Sequence, residues 1–88
     1  MLEIGTKLYN QGDMANEASE GIILESNVDN KFGNHYIVKF DSRKTTTRIE
    51  ASMVKTCTLE GIGNGFFRIV TLASYYEARA KKIELMKK

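Results

Sequence analysis

Apolar and polar residues alternate along much of the first two-thirds of the chain, which is the period of a strand with one buried face. The clearest example is HYIVKFD, residues 35–41, in which Tyr36, Val38 and Phe40 share one face. Ile37 shares the other face with charged and polar neighbours. This segment is therefore predicted to be a strand that packs its aromatic face against a core.

Three further segments have the composition of short strands. IGTKLY at 4–9 and EGIILES at 20–26 are apolar runs separated by NQGD, residues 10–13, which has the residue types of a turn. TTTRIE at 45–50 is rich in β-branched residues, which suit a pleated surface. ASMV, residues 51–54, follows as a predicted single helical turn.

The sequence GNG at residues 63–65 separates two apolar runs. Asn-Gly in this setting predicts a type I′ hairpin turn, which needs positive φ at both central residues. The expected hairpin pairs TCTLEGI, residues 56–62, with FFRIVT, residues 66–71. Because both faces of FFRIVT carry bulky residues, we expect this strand to be covered on both sides.

The period changes in the last segment, TLASYYEARAKKIELMKK, which is full of good helix formers. It predicts a helix over residues 71–87 with Thr71 as its N-cap. Three- and four-residue spacing gives this helix one apolar face, formed by Leu72, Tyr76, Ala80, Ile83 and Met86.

Together these elements predict a mainly β fold with one helix: a small antiparallel barrel of five to six short strands, followed by a C-terminal α-helix. At 88 residues the chain is expected to be a single domain, residues 1–88, with the barrel at about 4–70 and the helix at about 71–87.

Residues 5–54 resemble Tudor-like and KOW-type small β-barrels, which share the Src-homology-3-type architecture. The resembling stretches are IGTKLYNQGD, EGIILE, HYIVKFD and TTTRIEASMV. The resemblance implies a module that binds nucleic acid or a peptide, as in transcription-associated proteins and chromatin readers. Readers of methylated side chains use an aromatic cage, for which the candidates here are Tyr9, Phe32, Tyr36 and Phe40.

Other features narrow the class of protein. No apolar run approaches the roughly 20 residues that cross a bilayer, and no signal peptide is visible. The single cysteine, Cys57, suits a reducing compartment, and it is expected to be a small core residue rather than a reactive thiol. We therefore expect a cytoplasmic protein without a membrane partner.

Catalytic chemistry is not indicated. His35 is the one histidine, Cys57 has no flanking base, and GIGNG lacks the lysine of a phosphate-binding P-loop. Zinc and calcium motifs are also absent from the sequence. The expectation is a protein that is not an enzyme and has no cofactor.

Charge is distributed unevenly: residues 1–42 carry three bases against seven acids, and residues 43–88 carry ten bases against four acids. This asymmetry favours an anionic partner, DNA or RNA, although a mixed, solvated surface would look similar. Phe66, Tyr75 and Tyr76 would stack on bases if exposed. The candidate nucleic-acid-binding residues are Arg43, Lys44, Arg48, Lys55, Arg68, Arg79, Lys81 and Lys82.

The alternative is a protein-interaction or regulatory module. The amphipathic helix at 71–87 would then dock on a protein partner or on a second copy of the chain, or an open sheet edge would accept a strand. The test lies in the helix: if the barrel does not cover its apolar face, a partner is needed to cover that face, which consists of Leu72, Tyr76, Ile83 and Met86.

Overall fold

The structure is a computed structural model that describes residues 1–12 and 15–87. Within this part of the chain, six strands form one sheet and a single α-helix follows, which confirms a mainly β fold with one C-terminal helix. The elements are β1 (Lys7–Asn10), β2 (Ser19–Asn27), β3 (His35–Phe40), β4 (Thr47–Glu50), β5 (Val54–Lys55), β6 (Ile69–Thr71) and α1 (Leu72–Met86). Short 3₁₀ helices lie at Ala51–Met53, Leu59–Gly61 and Gly65–Phe67.

The sheet curls into a half-barrel, and its strand order explains the curl. The order is β4-β3-β2-β1-β6-β5, so β4 and β5 lie at opposite edges. Only the three residues Ala51–Met53, the predicted helical turn, connect them along the chain. The two edges must therefore approach each other. The β5–β6 pairing is parallel, whereas the other pairings are antiparallel, so the sheet is mixed where the sequence predicted an antiparallel one.

The alternation predicted for β3 is confirmed, since Tyr36, Val38 and Phe40 are all buried. A bulge in β2, between Ile23 and Glu25, locally shifts its register against β3. Gly21 sits under the Phe40 ring, where a Cβ atom would come within 2.7 Å of the ring. Glycine at this position lets β2 and the aromatic ring approach closely.

Apolar residues form two clusters, one on each face of the sheet. The cluster inside the half-barrel contains Leu8, Ile23, Tyr36, Val38, Phe40, Ile49 and Ile69. The outer cluster joins the helix to the sheet through Cys57, Val70 and Ala78, with Tyr9, Ile62, Phe67 and Tyr75 packed against them. Consecutive residues of β6 belong to different clusters, so β6 is covered on both faces, as its sequence predicted.

The prediction of a hairpin at GNG is wrong. Residues 56–62 contain no strand, and β6 pairs with β1 and β5 instead. Gly63 has φ of 75°, but φ of Asn64 is −95°, so the two positive φ angles of a type I′ turn are not present.

A distant side chain accounts for the difference at this turn. The Gln11 amide nitrogen donates to the carbonyl oxygens of Gly61 at 2.9 Å and Phe67 at 2.7 Å. Its amide oxygen accepts from the Gly63 N–H at 2.8 Å. These three bonds satisfy backbone groups that a hairpin ladder would otherwise have paired. Of the predicted NQGD turn, Asn10 accepts from the Gly12 N–H at 2.8 Å, and Asp13 lies outside the described residues.

The helix α1 falls within its predicted range, but little of its predicted apolar face is covered. Leu72 is buried, whereas Tyr76, Ala80, Ile83 and Met86 are exposed. The body contacts the helix through Ser74 and Ala78 instead. Every residue from 79 to 87 is exposed, so we call this segment the free end of the helix.

The start of α1 is held by hydrogen bonds of one buried serine. The Ser74 hydroxyl accepts from the Cys57 N–H at 2.9 Å and donates to the Thr71 carbonyl oxygen at 2.8 Å. Thr71 is the N-cap residue as predicted, but its side chain makes no capping bond and donates to Ser74 Oγ at 2.6 Å. The helix is thus fixed to the segment before it through its first turn.

Candidate nucleic-acid interface

A concave surface lies where several strands end. The end of β1 at Asn10, the start of β2 at Ser19, the start of β4 at Thr47 and the start of β6 at Ile69 all border a cleft of about 460 Å³. We call it the mouth cleft. Its volume lies within the range of about 300–1,000 Å³ that is usual for ligand sites.

Three of the predicted basic residues line the mouth cleft: Arg43, Arg48 and Arg68. They come from the β3–β4 turn, from β4 itself and from the residue before β6. The curl of the sheet brings these separate parts of the chain to one opening. Arginine guanidinium groups match phosphate oxygens in a two-pronged geometry, so this arrangement suits a polyanion.

The backbone that carries Arg43 is held by several hydrogen bonds. The Arg43 N–H donates to the Phe40 carbonyl oxygen at 3.1 Å. The Lys39 ammonium group donates to the carbonyl oxygens of Phe40 and Arg43. Ser42 Oγ lies 3.1 Å from Ser19 Oγ, which ties the turn to the start of β2. The turn is therefore positioned against two strands.

Carboxylates offset part of this positive charge. Arg48 forms an ion pair with Glu50 at 2.5 Å, and both side chains remain more than a third exposed. The same guanidinium group donates to the Phe32 carbonyl oxygen at 3.5 Å, so it points toward the β2–β3 loop, at the other end of the strands from the mouth cleft. Glu17 also borders the mouth cleft.

A second, smaller cleft of about 330 Å³ continues the first. The two share Met53, Arg68 and Ile69, and the second adds Lys55 and Phe66. We call it the ring cleft, because the Phe66 ring is 71% exposed there. The Lys55 ammonium nitrogen lies 5.0 Å from the centroid of that ring.

The remaining predicted basic residues lie elsewhere. Lys44 is exposed beyond the mouth cleft. Arg79, Lys81 and Lys82 are exposed on α1, which packs on the outer face of the sheet. Lys81 borders a cleft together with Glu60 and Glu77. The structure thus places Arg43, Arg68 and Lys55 along the two clefts and leaves the helix group apart from them. Arg48 lines the mouth cleft, but its guanidinium group is directed away, toward the β2–β3 loop.

An aromatic cage is not assembled. Tyr36 and Phe40 are each 3% exposed inside the half-barrel, and the Tyr36 hydroxyl accepts from the Leu2 N–H at 2.8 Å. Tyr9 packs on the outer face against Tyr75, with ring centroids 4.4 Å apart, and burial raises the pKa of Tyr9. Phe32 is exposed in the β2–β3 loop. These four side chains do not converge on one pocket.

The two candidate reactive groups lie in different environments. Cys57 is buried under the helix, and burial raises the pKa of its thiol. His35 lies at the start of β3, three strands away from β6 in the sheet. Its two ring nitrogens lie 3.4 Å from the Asn27 side-chain nitrogen and 3.4 Å from the Gly33 carbonyl oxygen. The expected core position of Cys57 is confirmed.

Several residues of the two clefts were not identified from the sequence. Asn10, Ser19 and Met53 line them only because β1 pairs with β6 and the 3₁₀ turn folds back toward β6. Those pairings join residues far apart in the chain, and no local sequence pattern predicts them.

Among residues 1–12 and 15–87, no group of three or more histidine, cysteine or acidic side chains is placed to hold a metal ion. No helix in that part of the chain is long and apolar enough to span a membrane. No protein-family model, no curated protein and no solved structure matches the chain. The Tudor-like and KOW-type resemblance of residues 5–54 stays a prediction.

Proposed function

We propose that this protein is a small, non-enzymatic nucleic-acid-binding module whose mouth cleft receives the phosphate backbone. The observation that carries the proposal is that Arg43 and Arg68 line one concave opening of the half-barrel, with Lys55 in the adjoining ring cleft. Each guanidinium group that neutralises a phosphate releases a counterion, so the affinity falls as salt rises.

The mouth cleft is a better candidate than the helix. Its basic residues Arg43 and Arg68 lie in a hydrogen-bonded turn and directly before β6. Among the described residues, Glu17 is the carboxylate that borders the mouth cleft, whereas Lys81 on the helix borders a cleft with both Glu60 and Glu77. Nearby carboxylates lower the positive potential that a phosphate experiences.

A binding role, rather than catalysis, is supported by the placement of the reactive groups. A thiol whose pKa is raised by burial is a weak nucleophile at neutral pH, and this applies to Cys57. His35 makes its contacts in the β2–β3 region, away from the outer cluster that holds Cys57. The unpaired, buried Cys57 also fits a reducing compartment, so we place the protein in the cytoplasm within the same proposal.

The test is a titration of labelled oligonucleotides, followed by fluorescence anisotropy, at about 50 mM and 200 mM salt. Three forms are compared: wild type, R43A/R68A (the mouth variant) and R79A/K82A (the helix variant). The last removes two positive charges from the helix and serves as the matched control.

We expect wild type to bind at low salt and to weaken steeply at high salt. The mouth variant should lose about 100-fold in affinity, because hydrogen bonds between charged groups are stronger than those between neutral groups. The helix variant should lose about twofold. If wild type does not bind at low salt, or if the two variants lose affinity equally, the proposal is wrong.

A second candidate function is self-association through α1, and the exposed apolar face of the helix favours it. Tyr76 is 54% exposed, Ile83 45% and Met86 76%.

Gel filtration with light scattering tests this candidate. A dimer should appear as concentration rises and should be lost in Ile83→Glu. A monomer at every concentration would contradict self-association and would leave the nucleic-acid proposal intact.

A further inference from the structure

Phe66 presents a large aromatic ring to solvent next to the arginine-lined opening. The ring is 71% exposed, although its neighbour Phe67 is half-buried in the outer cluster. Burying an aromatic side chain is a main source of stabilisation, so the exposed ring contributes little to the fold. The ring meets the Phe67 ring edge-on, with centroids 5.4 Å apart, and most of its surface stays open to contact from outside.

The backbone beneath the ring is held firmly. The Phe66 N–H donates to the Asn64 side-chain oxygen at 2.9 Å, and the Phe67 N–H donates to the Asn64 carbonyl oxygen at 2.9 Å. The Phe67 carbonyl oxygen accepts from Gln11 at 2.7 Å. Gly61 lies against the Phe67 ring, where a Cβ atom would come within 2.8 Å. The segment is thus clamped from both sides while Phe66 points outward.

Basic groups lie close to the ring. The Lys55 ammonium nitrogen is 5.0 Å from its centroid, and Arg68 borders both the ring cleft and the mouth cleft. A flat aromatic surface beside a line of cations is the arrangement that binds single-stranded nucleic acid. One base stacks on the ring, and the adjoining phosphates meet the cations.

We propose that the protein binds single-stranded nucleic acid, with an unpaired base stacked on Phe66 and the neighbouring phosphates running along Arg68 and Arg43. The inference deepens the proposed function and rests on it. A duplex keeps its bases stacked on one another, so it cannot offer a base face to Phe66 without opening. The site should therefore prefer single strands over duplexes of the same sequence.

The experiment uses DNA oligonucleotides that contain 2-aminopurine, a base whose fluorescence changes when it stacks, as single strands and as duplexes. Wild type is compared with Phe66→Ala and with Phe66→Tyr, which keeps a ring. Phe32→Ala is the matched control, because Phe32 is also exposed, at 67%, and has the Lys31 ammonium nitrogen 5.4 Å from its ring centroid.

We expect Phe66→Ala to weaken single-strand binding by about fivefold to 100-fold, the range for loss of one stacked base, and to abolish the fluorescence change. Phe66→Tyr should restore both, and Phe32→Ala should change neither. The dependence of affinity on salt should be the same in Phe66→Ala as in wild type, because no phosphate contact is removed. Circular dichroism checks that each variant is folded.

The inference is overturned if Phe66→Ala binds single strands as tightly as wild type, or if duplex and single strand bind equally. If the mouth variant loses binding while Phe66→Ala does not, the proposed function stands and the proposed stacking site is wrong. If wild type binds no oligonucleotide at low salt, both are wrong.

Discussion

The mouth cleft and the free end of the helix both expose basic residues, yet they are held in place very differently. In the mouth cleft, the backbone of Arg43 is hydrogen-bonded to Phe40 and Lys39, and Arg68 precedes the buried Ile69. In the free end, residues 79–87, no side chain is buried. The backbone that carries these two arginines is thus held by its neighbours, whereas the free end of the helix is not.

The difference follows from how far the body of the protein reaches along α1. Contacts with the outer cluster end at Ala78, and the remaining nine residues extend about 13 Å at the rise of an α-helix. The molecule measures 49 × 25 × 21 Å, so it is elongated. A site that needs convergent groups is favoured where the backbone is packed on both sides.

The largest expected effect comes from removing an anchor of the half-barrel. Ile23 is fully buried at the centre of the interior cluster, and Ile23→Ala should destabilise the protein by about 2–5 kcal/mol. Leu24→Ala, at the next residue but 43% exposed, should change stability by no more than about 0.5 kcal/mol. Urea unfolding measures both variants. Similar losses for the two would mean that the interior cluster does not anchor the mouth cleft.

A smaller effect is expected from Ser74, which attaches the helix. Ser74→Ala leaves the buried Cys57 N–H without its acceptor, and this should cost about 1–3 kcal/mol. The exposed Ser52→Ala is the control. Labelling of Cys57 by a thiol reagent should become faster in Ser74→Ala, because the cover over the thiol loosens. An unchanged labelling rate would show that Ser74 does not hold the helix down.

Alkaline pH should lower the free energy of unfolding, by less than the substitution Ser74→Ala does. Burial raises the pKa of both Cys57 and Tyr9, which lie in the outer cluster. A raised folded-state pKa gives stability that is complete below the unfolded-state pKa and is lost as pH rises through the folded-state value. The free energy of unfolding should therefore decline above about pH 8.5, the ordinary pKa of a thiol. Tyr9→Phe should make the decline shallower, and a stability that rises with pH in this range would refute the assignment.

The smallest effect should come from the free end itself. Ile83→Ser replaces a residue that is 45% exposed, so the stability should change by less than about 0.5 kcal/mol. Thermal unfolding at low protein concentration, where a dimer does not form, gives the comparison. A large loss would show that the free end is covered by the body of the same chain.

Sequence patterns were informative wherever structure is decided locally. Tyr36, Val38 and Phe40 alternate with polar neighbours, and burial of one face requires no knowledge of distant residues. The turn at Gly63 was misassigned because Gln11, far along the chain, satisfies its backbone groups. The parallel β5–β6 pairing is equally non-local.

The candidate site divides in the same way. Composition identified Arg43, Arg48 and Arg68 as basic candidates, but it placed Arg79 and Lys82 in the same set. Which of these meet depends on the curl of the sheet and on the face that the helix occupies. Neither property is visible in the spacing of charges along the chain.

The most direct test of the account is to add a short single-stranded oligonucleotide to the isotopically labelled protein and to record chemical shifts by nuclear magnetic resonance. The account predicts the largest shift changes at Arg43, Phe66 and Arg68, with residues 79–87 unchanged. Changes confined to residues 79–87, or no changes at low salt, would contradict it.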